Sequence, residues 1–200
     1  MAADGVNDFS QHWNVPLMTS GAMARAFTLE HQPTMTRVTA PYTEIGQFFK
    51  TLFLNLDYNR YPIHLVYHAP EDLTKDCFFA MEAINYVFGL TPAKFQVFST
   101  VVQHPLCCID YDSVIEQLNQ PKVVITCGPD DFVRNIMLTA KRYNLTESKS
   151  NVWYTIDLFN ASYFGHGAWQ RGDQYDLDAY EAYKGKSTDS CRICINDFVS

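Results

Sequence analysis

The sequence predicts an α/β protein built on a doubly wound parallel sheet. Three observations predict it. Between residues 63 and 158, strand-like and helix-like patterns alternate, which is the signature of parallel strands joined by crossover helices. Val123 to Cys127 is a near-continuous apolar run, as expected for a strand buried on both faces in the middle of such a sheet. The 200 residues are 47% hydrophobic and 18% charged. That supplies a core and sets the chain apart from disordered compositions.

The elements follow in order. Residues 13–21 read as a short buried strand ending in a turn, and Thr36 to Thr39 as another. Thr43 is placed to cap a helix on which Ile45, Phe48, Phe49, Leu52, Phe53 and Leu56 make one apolar face. Ile63 to Tyr67 is a strand, Asp76 to Phe88 a helix, Phe95 to Val102 a strand and Tyr111 to Leu118 a short helix. After the Val123 strand, Pro129 stands where a helix begins, a place where its missing N–H does no harm. That helix runs to about Tyr143 with Phe132, Ile136 and Ala140 on one stripe. Val152 to Leu158 is the next strand, and from about Asn160 the pattern dissolves.

The net charge of -7 argues against a general binder of nucleic acid or anionic membranes. Met1 is followed by Ala2-Ala3-Asp4-Gly5, without the basic and apolar regions of a signal peptide, and no apolar run is long enough to cross a bilayer.

An α/β sheet invites a nucleotide enzyme. The turn after the Val123 strand, Gly128-Pro129-Asp130-Asp131, holds one glycine and two acids. A phosphate cradle needs several glycines, and acids repel phosphate. No Gly-x-x-x-x-Gly-Lys stretch and no Gly-x-Ser-x-Gly elbow exists. The six histidines are dispersed. His104-Pro105-Leu106-Cys107-Cys108 reads as a surface loop rather than a metal site, and the single Cys191-x-x-Cys194 lacks the partners of a zinc site. No cofactor or metal is expected. Arg171-Gly172-Asp173 is treated as a loop, because three-residue matches are common by chance.

Cys77 opens a helix just after a strand, and Cys127 ends another strand. Carboxyl ends of strands share one edge of a doubly wound sheet, so the two can meet; two buried free thiols is the alternative. A bridge closes a loop of about 50 residues, contributing on the order of 4 kcal/mol in the chain-entropy picture. Phe78 and Phe79 follow. Neighbours on a helix lie about 100° apart, so both cannot point into one narrow core face. Either one is exposed as an anchor for a ligand, or both pack inside.

Several separated blocks resemble a known family. Trp13-Asn14-Val15-Pro16-Leu17, Ser20-Gly21-Ala22, Thr36-Arg37-Val38 and Pro41-Tyr42 resemble the late first lobe of natriuretic peptide receptors. Asp76-Cys77-Phe78-Phe79-Ala80-Met81-Glu82 resembles those receptors' Cys-aromatic-Phe-x-x-Glu helix. Val123 to Cys127, Ile136 to Ala140, Ile156 to Ser162 and Trp169 to Asp173 match as well, the last two most like the clearance-receptor branch.

The resemblance implies a type I periplasmic-binding-protein fold of two α/β lobes. Residues 1–57 would be the end of the first lobe with its crossover helix. Residues 58–185 would be a partial second lobe, and 186–200 an atypical tail. It implies no catalysis by this chain, although a parent receptor can carry an intracellular guanylate cyclase. A peptide hormone of the natriuretic type is the expected partner, with a homodimer in a single-pass parent receptor and the chain on the outer side of the plasma membrane. Phe78, Phe79, Glu82 and Tyr67 would contact the peptide, with Glu82 pairing a hormone arginine. Cys77–Cys127 would be the family's disulfide. Asn144 and Asn160, each in an Asn-x-Ser/Thr sequon, would carry glycans. Lys75 departs from the acid that cyclase-type members can carry there, and Cys107 and Cys108 have no family partner. A small-molecule lobe of a related receptor, with an amino-acid-like ligand, is the alternative. A soluble α/β enzyme ranks last.

Overall fold

The computed structural model describes residues 2–25, 27, 33–70, 75–118, 123–146, 151–158, 169–184 and 191–194. The chain divides into two compact units, Met1–Leu56 with Phe79–Thr91, and Asp57–Phe78 with Pro92–Ser200.

The first unit begins with helix α1 (Ala2–His12) and holds two short parallel strands, β1 (Leu17–Thr19) and β2 (Met35–Arg37). Helix α2 (Tyr42–Asn55) follows. Helix α3 (Asp76–Gly89) belongs to this unit from Phe79 onward. Phe49 and Phe53 of α2 are fully buried, and Phe53 stacks on Phe88 of α3 at 5.9 Å between ring centres. Gly46 lets the two backbones approach: a Cβ there would come within 2.8 Å of Val87.

Two expectations fail in this unit. The strand in 13–21 shrinks to β1 and is not buried, since Trp13 and Met18 are exposed. The stretch before it is taken by α1, whose periodicity the sequence reading did not use. Thr43 does not cap α2. The N-cap is Pro41, in extended conformation and without a side-chain cap, a place where a fixed φ and a missing N–H cost little.

The second unit is a five-stranded, wholly parallel sheet in the order β4-β3-β5-β6-β7. The strands are β3 (Ile63–His68), β4 (Val97–Val102), β5 (Val123–Cys127), β6 (Val152–Asp157) and β7 (Cys191–Cys194). Every residue of β3 and β5 is buried, as central parallel strands require. Side chains alternate across the sheet. Val66, Val124 and Trp153 point to one face, where they join Val114 and Ile115 of α4 (Tyr111–Glu116), Phe132, Ile136 and Ala140 of α5 (Asp130–Arg142), and Ala182 of α6 (Asp176–Lys184). Cys127 points to the opposite face and bonds Cys77 at the start of α3. Helices α4, α5 and α6 cover the first face, and the Cys77–Cys127 bridge lies on the second.

Neither α6 nor β7 was legible in the sequence. The stretch from 160 onward mixes Gly, Asp, Tyr and Ser without apolar periodicity. Helix α6 fully buries only Ala179 and Ala182, and at its surface Lys141 of α5 reaches Asp178 at 2.8 Å and also pairs Glu181. Strand β7 is only four residues long, too short for a pattern, and pairs in parallel with β6.

Candidate functional site

Strand order fixes where this sheet can bind. The chain leaves β3 for β4 on one side and then returns to β5 on the other. Beyond the carboxyl ends of β3 and β5 the connections diverge, and such a switch point is where open α/β sheets hold ligands. The residues there are Tyr67 and Cys127, which are register partners.

Cys127 and Cys77 form a disulfide with Cα atoms 5.5 Å apart, inside the ordinary range. Of the two alternatives left by the spacing, the bridge is the one present. It pins the first turn of α3 to the edge of the sheet. Phe78 then comes next to Tyr67, with ring centres 6.4 Å apart and planes tilted by 59°. Tyr67 is only 6% exposed, whereas Phe78 and Phe79 are each 38% exposed. Tyr67 therefore backs Phe78 and offers little surface of its own.

Both phenylalanines are exposed, where the spacing left either one exposed or both packed inside. The burial pattern of α3 explains it. Cys77, Ala80, Met81, Ala83, Ile84, Val87 and Phe88 are buried, and they use up the inward-facing positions. Phe78, Phe79 and Glu82 stand at i, i+1 and i+4, with Tyr86 one turn further. This spacing sets two aromatic rings and a carboxylate on one side of the helix.

Glu82 already has a cation. Arg25 places Nε 2.7 Å and Nη2 2.6 Å from the same Glu82 oxygen. The Arg25 guanidinium also lies over the Tyr86 ring, 4.5 Å from its centre. The Glu82 hydrogen bond holds Arg25 above its ordinary pKa against the opposing effect of burial. This cradle of carboxylate and aromatic face is one that accepts an arginine side chain, and an arginine of the chain occupies it. Sequence reasoning missed Arg25 and Tyr86. Arg25 stands in a stretch without periodicity, 57 positions from Glu82, and no local signal joins them.

Arg171 pairs with Asp131 at 3.0 Å, while Asp173 accepts from Arg134 at 2.7 Å and from the Tyr175 amide. Both ends of Arg171-Gly172-Asp173 are thus engaged within the chain. Arg134 is buried and also reaches Asp176 and the Trp169 carbonyl. It closes the 169–176 loop onto α5, a role the sequence reading did not assign. Gly128 is explained by packing, because a Cβ there would come within 2.5 Å of the Phe132 ring. His68 stacks on Phe132, and its Nε2 lies 2.9 Å from the His104 carbonyl oxygen. Asn144 is exposed, at φ 58°, where it ends α5. Asn160 lies outside the described residues. Among the described residues no group of His, Cys, Asp or Glu is placed to hold a metal, and no helix is long and apolar enough to cross a membrane.

A groove of about 840 Å³ lies by α4 and α5 and is lined by Arg134, Lys141, Arg142, Asp112 and Asp178, among others. Its cations already hold carboxylates. Arg142 pairs with Asp112, Lys141 with Asp178, and Arg134 with Asp173. It does not present the converging unpaired groups that an amino-acid-like ligand requires.

The chain is 31% identical over 195 residues to atrial natriuretic peptide receptor 3 of Bos taurus, a match covering 94% of this chain and 34% of that protein. The Homo sapiens protein of that name is 31% identical over 192 residues, with the same coverage. Atrial natriuretic peptide receptor 2 of Rattus norvegicus is 26% identical over 166 residues, covering 80% of this chain and 15% of that protein. The chain thus spans about a third of the length of the receptor 3 relatives. Among solved structures, an extracellular ligand-binding receptor from Verminephrobacter eiseniae aligns with a TM-score of 0.47 and 12% identity, over 68% of this chain and 36% of that one. No family model matches the chain.

Proposed function

We propose a function for what is, along 94% of its length, a homologue of the natriuretic peptide receptors: the chain is ligand-binding surface of a cell-surface receptor of that type. Its ligand is a basic peptide, met by the exposed side of α3. The observation that carries this reading is the joint exposure of Phe78 and Phe79 one turn before Glu82, on a helix tied by Cys77–Cys127 to the carboxyl edge of the sheet. Large aromatic rings on a rigid element are efficient anchors, because they bury much area and order few torsions. Glu82 adds a charge-assisted hydrogen bond to a guanidinium of the ligand, which takes the place of Arg25. The part of this chain is recognition, and no step of chemistry is assigned to it. In this reading the parent protein is a homodimer at the plasma membrane, with this region outside the cell and glycans on Asn144 and Asn160.

The test is equilibrium binding of fluorescent atrial natriuretic peptide to the chain secreted from cultured cells. Phe78→Ala with Phe79→Ala is expected to weaken binding by about tenfold or more. An unchanged affinity in a doubly substituted chain that keeps its disulfide would remove the reading.

A further inference from the structure

Cys107 and Cys108 have no place in peptide recognition. They are adjacent in sequence, both are exposed, and their sulfurs lie 2.9 Å apart on the short turn Leu106–Cys108 between β4 and α4. The turn is held from both sides. The Cys108 amide donates to the Pro105 carbonyl at 2.9 Å, the His104 carbonyl oxygen lies 2.9 Å from Nε2 of His68, and Leu106 and Ile109 pack against the core. The flanks are anchored while the two sulfurs face outward together.

We propose that Cys107 and Cys108 are a covalent modification site, a dithiol that exchanges with low-molecular-weight thiols and disulfides and closes into a vicinal disulfide. The Cys77–Cys127 bridge in the same unit belongs to an oxidising compartment, and exposed thiols do not stay reduced there. The step balances. One thiolate attacks a small disulfide RSSR, forms a mixed disulfide and releases RS⁻. The neighbouring thiolate then displaces the second RS⁻, leaving a Cys107–Cys108 bond and two molecules of reduced thiol. Adjacent Cα atoms stand about 3.8 Å apart, closer than the roughly 4.4 Å lower end for ordinary disulfides. The bond is therefore strained and easily reduced, unlike the buried Cys77–Cys127 bridge. Its hydrogen bond with Cys107, ahead of the other causes, pushes the Cys108 thiol above its ordinary range. The exchange accordingly quickens as the pH rises, since the thiolate is the attacking form.

The site does not depend on the peptide-binding reading, so the two fail separately. The test incubates the whole chain in buffers of graded reduced and oxidised glutathione, quenches with an alkylating agent and digests with trypsin. Lys94 and Lys122 release residues 95–122, which carry only these two cysteines. The expected result is that this peptide loses two hydrogens and carries no adduct in oxidising buffer. It reopens at a glutathione ratio that leaves Cys77–Cys127 closed, and Cys107→Ser traps one glutathione on Cys108. Two unreacted thiols in oxidising buffer, a glutathione on each cysteine, a link to a second chain, or a Cys107→Ser chain that takes up no glutathione would each overturn the proposal.

Discussion

Arg25 and Arg134 are both cations held by carboxylates, with different consequences. The Arg25–Glu82 pair is about one-third exposed on each side, where an ion pair contributes little to stability. In the proposed function its importance would lie in competition, because Arg25 holds the carboxylate that a basic ligand would need. Arg25→Ala is expected to tighten binding of atrial natriuretic peptide and Glu82→Gln to weaken it, each by roughly fivefold, the equivalent of about 1 kcal/mol. The same binding titration reads both, and equal losses from both substitutions would show the pair to be structural. Arg134 is buried and serves three oxygens. Arg134→Ala should lower unfolding free energy by about 2 kcal/mol in a urea titration, the scale of hydrogen bonds to charged groups. Its hydrogen bond also holds the Asp173 carboxyl below the ordinary carboxylate range. A depressed carboxylate contributes stability above its unfolded pKa of about 4, and that contribution is lost as pH falls through the lower folded value. The Arg134→Ala chain should lose that part of its acid sensitivity. The Cys-Phe-Phe-x-x-Glu spacing was legible as a block because it lies within one helix. Arg25 and Arg134 were not, since each acts on residues dozens of positions away.

The elements that the sequence announced are those in which burial repeats. Strands β3 and β5 are buried throughout, and α3 and α5 carry long apolar faces. The observed β5 has the expected bounds, Val123–Cys127. Elements that bury only small residues or rest on a neighbour's hydrogen bonds, α6 and β7, leave no such pattern. The crossing of α2 and α3 rests on Gly46 and the stacked Phe53 and Phe88. Gly46→Val should destabilise by about 1–3 kcal/mol through overpacking, and Phe53→Ala by about 3–5 kcal/mol through the cavity it leaves. Thermal unfolding of the two variants separates these effects, and a Gly46→Val chain as stable as the parent would mean that the helices do not meet there.

At the scale of the molecule, the sheet was legible and its switch point was not. Alternating patterns count strands, but only strand order reveals that β3 lies between β4 and β5. That order places Tyr67, Cys77, Phe78 and Cys127 at one edge. Burial of His64 should make the stability of the sheet depend on pH. It is buried in β3, stacked on Phe98 at 5.0 Å, and burial lowers its pKa below the ordinary value. A histidine depressed in the folded state supports stability above its unfolded pKa of about 6.5 and loses that support as pH falls through the folded value. The urea midpoint should therefore decline as pH drops below about 6.5, and His64→Gln should flatten that decline.

The proposed function rests on a peptide meeting the exposed side of α3. Photo-crosslinking tests it most directly, with p-benzoylphenylalanine at position 78 or 79 and, as a control, at the exposed Tyr143. The expected result is a covalent adduct with atrial natriuretic peptide from positions 78 and 79, suppressed by excess unlabelled peptide, and none from position 143. Adducts absent at 78 and 79, or no stronger there than at 143, would contradict it.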